Sequence, residues 1–264
     1  MEIRLDGKTA LVSASTGGIG FAIAKGLAEC GAKVILNGRS EQSTERAKQA
    51  LLAELPDAKL ETVAADLSDA QGCQTLIDSV SDVDILVNNA GIYGPLDFFE
   101  TDDQTWENYW QTNVMSGVRL SKALVKSMQD KGWGRVVFIS SESSRNIPSD
   151  MVHYGVTKTA QLALSRGLAK RLAGSGVTVN SVLPGPTLSD GFRAMVDEEV
   201  KRSGKSVEQV AKEFIAANRP SSVIQRAATV EEVANMVVYV CSQQSAATSG
   251  ASLRVDGGVV DDIA

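Results

Sequence analysis

Short apolar runs rich in β-branched residues alternate with longer stretches of helical periodicity along the whole chain. Seven of these runs read as strands: KTALVSA from Lys8, KVILNG from Lys33, LETVAAD from Leu60, DILVNNAG from Asp84, GRVVFISS from Gly134, VTVNSVLPG from Val177 and ASLRVDGG from Ala251. Several are nearly continuous in apolar character, which predicts strands covered on both faces, as in a parallel sheet whose crossovers are helices. Helical patterns occupy about 18–30, 41–54, 68–80, 102–130, 152–173 and 229–242. The last opens on Thr229-Val230-Glu231-Glu232, a capping-box sequence. The alternation predicts an α/β fold, a doubly wound, seven-stranded parallel sheet with helices on both faces.

One stretch breaks the rhythm. From about 188 to 226 the chain is charged and helix-favouring, with GFRAMVDEEVKRSG and SVEQVAKEFIAANRP on either side of Gly204-Lys205. No Pro/Ser/Gly-rich linker, repeat or low-complexity tract sets it apart, so a single domain over 1–264 with a helical insertion is expected. That insertion is a candidate lid over a substrate, with Phe192, Met195, Ile215 and Val223 as candidate apolar walls.

Composition narrows the chemistry. The 264 residues are 43% apolar and 22% charged, an ordinary globular balance, and the net charge of −6 argues against nucleic-acid or anionic-membrane partners held by general electrostatics. A single histidine, His153, and three scattered cysteines, Cys30, Cys73 and Cys241, provide no metal-binding spacing, so no metal is expected. The thiols fit a reducing compartment. Glu2 and Asp6 stand where a signal peptide needs a basic start and an apolar core, and no run reaches about 18 apolar residues, so a soluble cytoplasmic protein without a membrane partner is expected.

After the first strand, Ser13-Ala14-Ser15-Thr16-Gly17-Gly18-Ile19-Gly20 leads directly into an apolar-periodic helix. Glycines there let backbone amides approach a pyrophosphate, and the helix N-terminus adds unpaired N–H groups and partial positive charge. The second strand ends in Leu36-Asn37-Gly38-Arg39-Ser40, with no carboxylate to hold a ribose 2′-hydroxyl. Arg39 can instead pair with a 2′-phosphate, which favours NADP(H) over NAD(H).

Tyr154 and Lys158, four apart at a helix start, share one face, and Ser141 ends the fifth strand, where open α/β sheets bind ligands. Carbonyl reduction needs a hydride donor, a hydrogen-bond donor to the oxygen and an acid that delivers a proton. An ammonium beside a phenol lowers the phenol's pKa, which places Lys158 to activate Tyr154, and the Ser141 hydroxyl would stabilise the developing oxyanion.

These motifs, together with Asn88-Asn89-Ala90-Gly91, Pro184-Gly185 and Val255-Asp256-Gly257-Gly258, make the whole chain resemble the short-chain dehydrogenase/reductase family in its compact form. The resemblance implies a Rossmann-type fold and catalytic roles for Ser141, Tyr154 and Lys158, with Lys158 also on the nicotinamide ribose. It further implies that Asn113 continues a proton relay through water. By the same resemblance Ser13, Ser15, Thr16, Gly18, Ile19 and Gly20 line the phosphates, and Asp66 and Leu67 flank the adenine. Asn89, Ala90 and Gly91 would lie on the adenosine side, and Pro184, Gly185 and Thr187 would border the nicotinamide. A homotetramer built through the helices near 102–130 and 152–173 and the last strand is implied as well. Ser13-Ala14 departs from the family's usual Thr-Gly, and an alanine tolerates positive φ less well. Asn88 reads as a buried amide bridging strands.

The expected reaction is hydride transfer between NADP(H) and a ketone or aldehyde and its alcohol, on a small-molecule substrate. Reduction of a 3-oxoacyl group on an acyl carrier protein is the alternative, with Lys201, Arg202 and Lys205 as weak candidates for an acidic carrier. A non-catalytic dinucleotide redox sensor is disfavoured because Tyr154 and Lys158 are both present, and an epimerase because no substrate domain follows the seventh strand. A Ser-His hydrolase is disfavoured too, since no Gly-x-Ser-x-Gly elbow occurs; His153 is expected on the substrate side or in solvent. Trp106 and Trp110 are expected in the core or at a subunit interface.

Overall fold

The computed structural model describes residues 2–263. Its seven strands are β1 (Thr9–Val12), β2 (Lys33–Gly38), β3 (Leu60–Ala64), β4 (Ile85–Asn88), β5 (Gly134–Ile139), β6 (Val177–Pro184) and β7 (Ser252–Val255). They form one sheet in the order β3-β2-β1-β4-β5-β6-β7, every neighbouring pair parallel. The order reverses between β1 and β4, where Ala10 pairs with Ile85 and Val12 with Val87. At such a reversal the connecting loops diverge to opposite faces and leave a crevice at the C-terminal strand ends.

The inner strands are almost wholly buried, whereas the edge strands β3 and β7 are partly exposed. Alternation along the strands sends Val12, Leu36, Val87 and Val182 to one face and Leu11, Ile35, Leu86 and Val179 to the other. The first face packs against α1 (Gly18–Glu29), α2 (Glu41–Glu54) and α9 (Val230–Cys241). The second packs against α3 (Ala70–Asp78), α5 (Ser116–Asp130) and α6 (Val152–Arg171). Each of the seven expected strands is present; β2 keeps its full expected length and the others are shorter by one to four residues, mostly at the C-terminal end where the chain turns into the loops. Thr229 and Glu232 make the expected reciprocal cap of α9, at 3.2 and 2.9 Å.

The stretch expected as one helix over 102–130 is α4 (Asp103–Trp110) and α5 joined by a π-helical turn at Gln111–Met115. Between β6 and β7 lie α7 (Asp190–Ser203) and α8 (Val207–Asn218), divided where Gly204 adopts φ +69° and ends α7. These two helices hold a small core of their own, with Phe192, Val196, Val210 and Ile215.

Candidate active site

A cavity of about 790 Å³ opens at the C-terminal ends of β1, β4, β5 and β6, between the glycine turn and α7. Thr16, Gly18, Ile19 and Gly20 line one end of it, and Ser141, Tyr154 and Lys158 line the other. No side chain caps α1, no acidic residue stands in its first turn, and the amides of Ile19 and Gly20 have no protein acceptor among the described residues. That set of donors fits an anionic phosphate. The Gly18 amide is held at 3.0 Å by Asp190, the first residue of α7. Gly18 has φ +53°, suited to glycine, and Ala14 has φ +50°, the strained position that the departure from Thr-Gly pointed to.

Ser13 and Ser15 build the turn from beneath. Their hydroxyls bind backbone at Val87 and Val12, and the Ser13 oxygen also accepts from the amides of Asn89 and Ala90. Both are buried outside the cavity lining, as is Ala90. Asn37, not anticipated, fastens the turn to the sheet: its Oδ1 accepts from the Ala14 amide and its Nδ2 donates to the carbonyls of Val63 and Ala65. Arg39 is exposed on the cavity edge, and its guanidinium makes no hydrogen bond or ion pair among the described residues. Asp66 and Leu67 follow β3 beyond that lining, the first exposed and the second in the core. Asn89 lines the cavity and donates to the carbonyls of Ser13 and Ala14.

At the other end, the Ser141 hydroxyl faces the Tyr154 phenol closely enough to favour the phenol's ionised form. Burial outweighs that effect and pushes Tyr154 above the usual tyrosine pKa, with the charge of Glu142 acting in the same direction. The expected lowering by Lys158 therefore does not govern the phenol in this state. The ammonium lies 5.6 Å from the ring centre and donates to the Ile139 carbonyl at 2.9 Å, and burial lowers its own pKa to about 7, so that its charge is diluted at neutrality. Ser140 ties β5 to α6 by donating to the Lys158 carbonyl.

Asn113 sits in the π-helical turn and grips both backbone groups of Ile92 with its side chain, at 2.8 and 3.0 Å. Its carbonyl accepts from Gln161 Nε2 at 2.5 Å, and Gln161 Oε1 accepts from Lys158 at 3.3 Å. An amide thus spans the place between Asn113 and Lys158 where a relay through water was expected. Gln161 was missed, although it stands three residues after Lys158 on one helix face. Gly91 approaches so closely that a Cβ would lie 3.3 Å from Lys158 Nζ and 3.4 Å from Asn113 Oδ1. Pro184, Gly185 and Thr187 line the cavity after β6, Thr187 donating to the Gly185 carbonyl.

Several other expectations change. His153 is only 1% exposed and packs edge-on against Tyr109 at 4.3 Å, so it faces neither substrate nor solvent. The reason is helical geometry: one step from Tyr154, its side chain points under α4 instead of into the cavity. Burial lowers its pKa below the usual histidine value. Asn88 joins β4 to Ser121 of α5, not to another strand. Of the four candidate wall residues, Met195 and Phe192 line the cavity, Ile215 is in the α7–α8 core and Val223 faces outward. Lys201, Arg202 and Lys205 are ion-paired with Asp197, Glu199 and Glu213.

Residues 13–260 match a family model described as Enoyl-(Acyl carrier protein) reductase. The chain is 43% identical to the uncharacterized oxidoreductase YvaG of Bacillus subtilis (strain 168), over 100% of both proteins. It is 33% identical to the 3-oxoacyl-[acyl-carrier-protein] reductase FabG of Haemophilus influenzae, over 97% of this chain and 99% of that protein. L-Sorbose reductase of Gluconobacter frateurii, solved with NADPH and L-sorbose, matches with a TM-score of 0.93 at 30% identity over 100% of both chains. Likeness of this extent, in fold and along the full sequence, makes the chain a member of the short-chain dehydrogenase/reductase family, an oxidoreductase that uses a nicotinamide dinucleotide to interconvert C=O and CH–OH groups.

Proposed function

We propose that this oxidoreductase is an NADP(H)-dependent carbonyl reductase of small molecules, with Tyr154 as proton donor in reduction and acceptor in oxidation. The observation that carries the reading is the convergence of Ser141, Tyr154 and Lys158 at one end of a cavity whose other end is the uncapped start of α1. When bound, the reduced nicotinamide supplies hydride to the carbonyl carbon. Ser141 donates to the carbonyl oxygen, where charge develops, and so favours the transition state over the ground state. Tyr154 gives that oxygen its proton. Burial keeps the phenol protonated at neutral pH, the form that reduction needs. Lys158 holds the ribose and lends positive charge to the phenol as it ionises, and Asn113 positions Lys158 through Gln161.

Amides at the start of α1 and the residues Thr16, Gly18, Ile19 and Gly20 would hold the pyrophosphate, over the frame made by Ser13 and Ser15. Asp66 and Leu67 would lie by the adenine, Asn89, Ala90 and Gly91 by the adenosine, and Pro184, Gly185 and Thr187 by the nicotinamide. The unpaired Arg39, with no carboxylate at the end of β2, supports NADP(H). Tyr154→Phe should lower turnover by about 10²- to 10⁴-fold, the usual contribution of a general acid, while NADPH fluorescence still titrates to saturation. In the same titration NADH should bind more weakly. Retained turnover would remove Tyr154 from the role, and equal affinities would remove Arg39 from cofactor choice.

The likeness to the Haemophilus influenzae enzyme favours a second reading, reduction of 3-oxoacyl groups on a carrier protein. The paired state of Lys201, Arg202 and Lys205 weakens the basic patch on which that reading relied. We also propose a single domain with α7–α8 as its lid, and a cytoplasmic location on the strength of three free thiols, which cell fractionation would check. A homotetramer is supported by the exposed apolar side chains Phe98, Phe99 and Trp110, Phe99 being 92% exposed. Sedimentation should give four times the chain mass; a monomer would refute the assembly.

A further inference from the structure

Glu142 and Arg219 come from distant parts of the chain to meet in the cavity that holds Ser141 and Tyr154. Glu142 follows Ser141 in a short 3₁₀ turn after β5, and Arg219 is the first residue past α8. Arg219 Nε donates to Glu142 Oε1 at 2.8 Å, with side chains 14% and 4% exposed. Apolar residues of similar volume commonly stabilise a fold as well as a buried ion pair does, so the pair calls for another explanation.

The contact is incomplete in a specific way. Arginine and carboxylate can join through two parallel bonds, but here only Nε engages Glu142. Nη1 donates to the neighbouring Asn218 carbonyl, and Nη2 has no acceptor among the described residues. Among the described residues, Glu142 Oε2 accepts only from the Ser143 hydroxyl, at 3.2 Å. Both residues line the cavity, with an Arg219 N–H donor and Glu142 carboxylate lone pairs left without a protein partner among the described residues. A hydroxyl group answers both, because it donates to a carboxylate and accepts from a guanidinium. A carboxylate ligand would meet the charge of Glu142, reinforced by that of Asp256. The 3-oxoacyl group of a thioester has no donor for Glu142 and would lay apolar chain against the pair.

We propose that Glu142 and Arg219 form a hydroxyl-recognising clamp, so that the substrate is a polyhydroxylated ketone whose hydroxyl beside the carbonyl donates to Glu142 and whose next hydroxyl accepts from Arg219. The inference rests on the reductase reading above. It gives α8 a direct part in specificity, because the lid carries one half of the clamp.

Three substrates that share a four-carbon ketone unit test it with NADPH: L-erythrulose, 2,3-butanedione and an acetoacetyl thioester. The wild-type protein should favour erythrulose over the diketone by at least about tenfold in kcat/KM, since sites built to bind a hydroxyl discriminate strongly against analogues that lack it. Glu142→Gln and Arg219→Met should each lower that ratio by about tenfold or more. A ratio cancels any loss that both substrates share. Diketone turnover without preference for erythrulose, preference for the thioester, or ratios unchanged in both variants would overturn the clamp and leave the reductase reading standing. Turnover of none of the three would overturn that reading and the clamp with it.

Discussion

Ala14 holds a left-handed backbone at φ +50°, where an L-residue with a Cβ is strained by about 1–2 kcal/mol. Asn37 and Asn89 keep it there, one accepting from its amide and the other donating to its carbonyl. Ala14→Gly should relieve the strain while adding freedom to the unfolded chain, for a net gain of about 0.5–1 kcal/mol. Thermal unfolding would show a higher midpoint, and a lower one would mean that the methyl packs usefully. The strain was readable in the sequence as an alanine where the family resemblance expects glycine. Asn37 was not, because nothing in its neighbours says that β2 ends beside the glycine turn. Gln161 escaped notice for a related reason: its spacing from Lys158 places the two on one face, but only the π-helical turn brings the Asn113 carbonyl into reach.

Among the elements, α7 reaches the glycine-turn end of the cavity while packing in a core separate from the sheet's. Its first residue, Asp190, puts a carboxylate on the Gly18 amide, at the positive end of α1, where a phosphate would otherwise be favoured. NADPH and Asp190 should therefore compete, and cofactor binding should release α7 from α1. Asp190→Asn removes the charge and should tighten NADPH binding by about 0.3–1 kcal/mol, the usual worth of a charge at a helix end. Fluorescence titration reads this as a Kd roughly two- to fivefold lower; a higher Kd would show that Asp190 supports the site. Element positions were largely legible because several strands are nearly continuous apolar runs and the helices between them show a 3.6-residue pattern. The break between α7 and α8 was legible too, at Gly204. The π-helical turn was not, since Gln111–Met115 has the same polarity pattern as the helices around it.

At the scale of the whole molecule, the buried ammonium of Lys158 should lower stability. Lys158 is buried without a carboxylate partner among the described residues, and burial puts its pKa at about 7, below the usual lysine value. Below pH 7 both folded and unfolded chains carry the proton, and the full cost of the buried charge is present. Between about 7 and the usual lysine value the folded chain binds fewer protons than the unfolded one, so this residue makes stability rise with pH. Lys158→Met should thus melt higher than the wild type at pH 6, with a smaller difference at pH 9, while losing turnover. A constant difference would show that the buried charge does not titrate there. Parallel strands, two-sided covering and the strand-end location of Ser141 were determined by the sequence itself, because local periodicity and turn chemistry are properties of neighbouring residues. The meeting of Glu142 with Arg219, the reach of Asp190 to Gly18 and the burial of His153 were decided by the tertiary structure alone. Each joins or hides groups from separate elements, and the free energy of a buried charge depends on what surrounds it in space.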